Sequence, residues 1–199
     1  MVRPPPPRAH QRHCERCFLP HALCICPWIP SLTPCCRVVV VRHRNESWRT
    51  TNTGRLVALA LEGCEIMDHG HRDHRLEPGD VPTGPGVCLL YPRRDDDVPL
   101  WTGGRPEVLV VPDGTWSQAR RIVRRVPGLA TLPRLELPPA PPPVRRLRKS
   151  PSPEARCTIE AVAAALGKWG PPEHERALLD LYDLLAKRMD KGLNGTPAP

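Results

Sequence analysis

Apolar positions along this chain follow two rhythms. Short runs rich in β-branched residues read as buried strands, and segments with apolar residues every three or four positions read as amphipathic helices. RVVVVR at residues 37–42 and GVCLLYP at residues 86–92 belong to the first kind. So does the run from Glu107 to Val111, which Pro112 is expected to stop because proline donates no ladder hydrogen bond. A shorter strand is expected over LATLPRLEL, residues 129–137. The helical rhythm covers residues 54–62, with Asn52 or Thr53 as N-cap. It returns at Trp116, Ala119, Ile122, Val123 and Val126, behind Thr115 as cap. A third helix is expected behind Thr158, with Ile159, Val162, Ala163 and Leu166 inward, and a fourth on Leu178, Leu181, Tyr182, Leu185 and Met189. Strands interleaved with helices predict an α/β domain built on an open sheet.

The flanks are of another character. Residues 1–13 are Pro- and Arg-rich and are expected to be disordered, residues 193–199 form a flexible tail, and PPAPPP at 138–143 makes a stiff extended connection. The amino-terminal stretch has no apolar h-region, and no apolar run reaches the length of a membrane span. A cytoplasmic protein with reduced thiols is therefore expected, with no membrane association and no obligate protein partner inferred. In that setting Cys14, Cys17, Cys24 and Cys26, spaced C-x2-C-x6-C-x-C, suit a closed tetrahedral zinc site. The alternatives are a redox pair, unliganded thiols, or His13 or His21 replacing one ligand. Residues 14–36 are expected to form a small zinc-binding module and residues 37–192 the main domain. Cys35, Cys36, Cys64, Cys88 and Cys157 read mostly as small core residues.

Charge adds a partner. The formal net charge is +8, carried by 25 Arg and only 4 Lys. Arginine suits bidentate phosphate contacts and base stacking, so RNA is the favoured polyanion; an Arg- and Pro-biased proteome would give the same count. Arg120, Arg121, Arg124 and Arg125 line the polar side of the second helix, and Arg145, Arg146 and Arg148 fall in the basic run RRLRK. Asp113 follows the central strand, where open α/β sheets place their ligands. Its ordinary alternative is a helix cap, and that of Trp116 is core packing. Arg55, at the start of the first helix, either helps that terminus bind an anion or is simply solvated. HGHRDH at residues 69–74 imitates a metallohydrolase motif, but only His174 follows it, so a polar surface loop explains it better.

Five segments in order resemble the DTW-domain family of tRNA-uridine aminocarboxypropyltransferases. They are the cysteine cluster; Glu46, Arg49 and the TNTGR run Thr51 to Arg55; Leu90, Tyr91 and Pro92; Asp113, Gly114, Thr115 and Trp116; and Thr158 to Ala161. The resemblance covers about residues 14–185. It implies a SPOUT-like α/β fold and admits a carboxy-terminal trefoil knot. It also implies S-adenosylmethionine as donor, a tRNA uridine as acceptor, and transfer of a 3-amino-3-carboxypropyl group to uracil N3. Asp113 is then the expected general base. Asn52, Arg55, Tyr91, Gly114, Thr115, Trp116, Thr158 and Glu160 are expected around donor and base, and the arginines at 120, 121, 124, 125, 145, 146 and 148 on RNA phosphates. The family often has a Ser and a Tyr before the Leu-Arg of the basic segment, where this chain has Pro142 to Arg146. Two other readings fit the same features: an RNA methyltransferase using that donor, and a non-catalytic zinc-containing RNA-binding protein.

Overall fold

The structure is a computed structural model, and it describes residues 12–71, 75–93, 98–139, 146–148, 152 and 154–193. Four strands form one sheet: β1 (Arg37–His43), β2 (Glu65–His69), β3 (Val87–Leu89) and β4 (Val108–Asp113). Their order is β2-β1-β4-β3 and every pairing is parallel. Helices α1 (Thr53–Ala60), α2 (Trp116–Arg125), α3 (Thr158–Leu166) and α4 (Pro172–Leu193) cover it. Val38 to Val41 are fully buried, as expected of a strand with neighbours on both edges and helices on both faces. Val38, Val40, Leu109 and Val111 pack with α1, α3 and α4, whereas Val41 and Val110 pack with α2. The sheet therefore has two cores.

Two expectations about elements need correction, and one strand went unforeseen. β4 runs through Pro112 to Asp113 instead of stopping at Val111. Its ladder with β3 reaches only Val110, so Pro112, on the same side two residues later, faces a position where β3 has ended. The missing N–H costs nothing there. Residues 129–137 do not form a strand; Arg134 makes only isolated bridges to Leu89 and Leu100. Pro133 interrupts the run, and buried Arg134 turns back to donate to the carbonyls of Leu129 (2.9 Å) and Ala130 (2.9 Å). Strand β2, by contrast, carried too mixed a pattern to stand out, since its residues are only partly covered.

The cysteine-rich segment is not a separate lobe. Cys17, Leu19 and Ile25 are buried in the core that α1, α3 and α4 share. No described helix is long and apolar enough to cross a membrane.

Candidate active site

The carboxyl end of β4 delivers Asp113 to the floor of a cavity of about 600 Å³, within the range usual for small-molecule sites. Three backbones converge on the carboxylate. Asn52, the N-cap of α1, accepts the Arg55 N–H through Oδ1 (2.9 Å) and donates through Nδ2 to Asp113 Oδ2 at 2.6 Å. The Thr158 hydroxyl, from the first turn of α3, donates to Asp113 Oδ1 at 2.6 Å. A Cβ on Gly54 would lie 2.6 Å from Asp113 Cγ, so α1 comes this close only because the residue is glycine.

Asp113 does not cap α2. Thr115 does, in a capping box with Gln118. The carboxylate is 3 % exposed, and its pKa is raised, chiefly by burial, against the lowering effect of the bonds from Thr158 and Asn52. Desolvation wins because two donors restore only part of the hydration an ionised carboxylate gives up. Thr158 does not cap α3 either: Cys157 takes that position, and Glu160 accepts its N–H at 2.7 Å. That frees the Thr158 hydroxyl for Asp113.

The family model of the DTW domain matches residues 11–190. The chain belongs to the DTW family. Among similar proteins, tRNA-uridine aminocarboxypropyltransferase 2 of Drosophila melanogaster is 29 % identical over 94 % of this chain and 78 % of its own length. The protein of that name in Macaca fascicularis is 26 % identical over 60 % of this chain and 43 % of its own. The Mus musculus protein is 29 % identical over 55 % and 40 %. No solved structure matches.

The DTW turn itself, Asp113 to Trp116, lines the cavity together with Asn52, Tyr91 and Thr158. Trp116 is half-buried and forms wall as well as packing; its ring lies 6.3 Å from that of Tyr91, tilted by 46°. Two expected site residues stand outside the lining. Glu160 is engaged in the α3 capping box. Arg55 is buried, donates to the carbonyls of Arg49 and Ser47, and lies 4.8 Å over the Phe18 ring. Burial lowers its pKa to about 10, and its work is to hold the loop before α1.

Arg146, Leu147 and Arg148 of the basic segment also line the cavity. Arg148 donates to Glu46 Oε2 (2.7 Å) and to Thr51 Oγ1 (2.8 Å), and Arg146 donates to the Ala155 carbonyl (2.8 Å). Glu46 is only 1 % exposed, so Arg148 supplies the charge partner that its burial demands. Glu46 stands among polar loop residues in the sequence, and nothing in that pattern signals its burial. Arg145 lies outside the described residues. Arg120, Arg121, Arg124 and Arg125 are exposed on α2.

The DTW cysteine cluster is assembled. The sulfurs of Cys14, Cys17, Cys24 and Cys26 all lie within 4.8 Å of one another, without either histidine. The Cys14–Cys26 and Cys17–Cys24 separations are 3.6 Å and 3.8 Å, close to the tetrahedral edge of about 3.8 Å that zinc–sulfur bonds of about 2.3 Å require. The Cys17 backbone N–H helps to lower the Cys14 pKa to about 6, whereas burial raises that of Cys26, so without a metal the cluster favours one thiolate hydrogen-bonded by its neighbours. The donor set fits zinc.

Proposed function

We propose that this DTW protein transfers the 3-amino-3-carboxypropyl group of S-adenosylmethionine to N3 of a tRNA uridine. The observation that carries the proposal is the buried Asp113 carboxylate, held by Asn52 and Thr158 at the floor of a ligand-sized cavity. The names of the relatives in three animals support the same reaction.

The chemistry follows from what must move. Uracil N3 loses its proton and bonds to the γ-carbon of the methionine-derived chain. That carbon's bond to sulfur breaks, and methylthioadenosine leaves with the electron pair. The sulfonium activates three carbons, so the cavity must select one by orientation. Asp113 takes the N3 proton; a carboxylate raised by burial is a better base than a solvated one. Asn52 and Thr158 fix its two oxygens so that one lone-pair direction faces the base. Trp116 and Tyr91 offer flat apolar surface for a nucleobase. The cluster of Cys14, Cys17, Cys24 and Cys26 would hold a structural zinc that secures Phe18 beneath Arg55 at the start of α1. The proposal includes a SPOUT-like fold, in keeping with an open parallel sheet that carries its site at the carboxyl ends of the strands, and a carboxy-terminal trefoil knot as what the family resemblance admits. A crystal structure tracing residues 140–157 tests that part.

Donor labelled in its carboxyl carbon or in its methyl decides the reaction. Carboxyl label reaching unmodified tRNA supports the transfer, and methyl label alone makes the protein a methyltransferase. In Asp113→Asn, turnover should fall by about 10²–10⁴ while tRNA binding survives; undiminished turnover removes Asp113 as the base.

A further inference from the structure

Strand alternation divides the carboxyl edge of the sheet into two rows. Asp68, Arg42 and Asp113 are in register across β2, β1 and β4. The Asp113 site and the bidentate pairing of Arg42 with Asp68 (2.7 and 2.9 Å) fill this row. One residue further on, His69 and His43 are in register, and the two-residue period turns both toward the other face, the one α2 covers. The residues beneath them follow suit: Val41 and Met67 pack with α2, while Val40 and Ile66 pack on the opposite side.

The histidine row is incompletely partnered. His43 Nδ1 accepts the Asn45 N–H at 3.2 Å, which places the ring proton on Nε2. Gly70 presents no side chain there; a Cβ would sit 3.6 Å from that nitrogen. His69 Nδ1 is buried and meets no hydrogen-bond partner. The surrounding charge is mostly positive. His43 is faced by His69 from β2, by Arg121 from α2, and by Arg44 and Glu46 from the turn after β1. His69 is faced by Arg125 from α2 and by His43. Glu46, the one acid among them, is already paired with Arg148. Arg121 and Arg125 stand one turn apart on the same side of α2, and both are exposed.

We propose that His43, His69, Arg121 and Arg125 form a phosphate site that holds a backbone phosphodiester of the substrate RNA, across the sheet from the Asp113 cavity. The proposal rests on the reading of this protein as an RNA-modifying enzyme and gives that reading an anchor point. Two guanidiniums from one helix face and an imidazole N–H match an anion with several acceptor oxygens. The reaction at Asp113 uses none of the four. Burial, with help from the neighbouring cations, lowers both histidine pKa values in the free protein. A bound phosphate raises them again, so binding takes up protons. Affinity is then greatest below the free-state pKa values and falls as pH rises through the bound-state values.

The test is fluorescence anisotropy with a labelled unmodified tRNA transcript and, separately, a labelled oligouridylate, between about pH 5.5 and about pH 8. Wild-type affinity should fall roughly tenfold across that range, and His43→Gln with His69→Gln should abolish most of the fall. Arg121→Gln with Arg125→Gln, at exposed positions, should lower the slope of log affinity against log salt by about one. It should also flatten the pH dependence, which keeps the question open to test if the histidine pair does not fold. A variant that retains the wild-type pH slope overturns the site. Slopes lost equally with both RNAs, in a protein that prefers neither, keep the phosphate site and sink the tRNA reading. Turnover of tRNA with both slopes unchanged does the reverse.

Discussion

Asp113 is a residue on which two opposing effects act, and their balance is measurable. Burial raises its pKa, while Thr158 and Asn52 pull it down. The net shift is upward, so the folded chain holds this proton more tightly than the unfolded one. Its contribution to stability is therefore complete below the unfolded carboxylate pKa of about 3.9 and declines as pH rises through the folded value. Asp113→Asn removes that decline. Urea unfolding of both proteins from about pH 4 to about pH 7.5 should give a difference that moves in favour of the variant as pH rises. A constant difference would mean that the two hydrogen bonds cancel the effect of burial, and one that moves toward the wild type would mean that they outweigh it. At this scale the sequence pointed to a carboxylate at a strand end but not to its partners. Asp113 stood at a strand end before a capped helix, and that is a local pattern. Its bonds to Asn52 and Thr158 span 61 and 45 positions, and no local pattern encodes them.

Among elements, α1 is placed by what it lacks. Gly54 sits in its first turn, where glycine weakens a helix by about 1 kcal/mol relative to alanine. Helix propensity alone therefore predicts that Gly54→Ala is stabilising. The Asp113 carboxylate, 2.6 Å from the new methyl, predicts otherwise: either the helix or the carboxylate must move. Misplacement of a reacting group by an ångström can cost about a hundredfold, so kcat should fall by about that factor. Steady-state kinetics on tRNA checks it, and unchanged kcat would show that the carboxylate can shift without loss. The helices were legible because each repeats its apolar spacing over several turns. The strands were less so. Glu65–His69 is only partly buried and lacks a clean alternation. LATLPRLEL had apolar residues enough for a strand, yet buried Arg134 made it a folded connection instead.

For the whole molecule, the cysteine cluster is the element that holds the amino-terminal segment against the domain. Cys17, Leu19 and Ile25 belong to the core of α1, α3 and α4, and Phe18 lies under Arg55. Metal removal should therefore unfold more than the module. Treating purified protein with a chelator is expected to lower Tm by more than about 10 °C and to abolish donor binding with it. Thermal unfolding alongside metal analysis measures both; a chelated protein with unaltered Tm would leave the cluster without a structural metal. The spacing of the cysteines announced that the four would cluster, but not that the segment shares its apolar residues with the main domain.

The strand order β2-β1-β4-β3 also sets a timetable. β1 and β2 are synthesised in succession and are free to pair once both have emerged, but β3 has no partner yet. Both of its neighbours, β4 and the bridge at Arg134, lie further along the chain. Val87, Cys88 and Leu89, all buried in the finished fold, must therefore wait through the synthesis of β4, roughly one to five seconds on the ribosome. During that interval an apolar strand with two open edges is available to any other unpaired strand. The arrival of the Asp113-bearing strand, which slots between β1 and β3, closes the first of these edges, and the bridge at Arg134 closes part of the second.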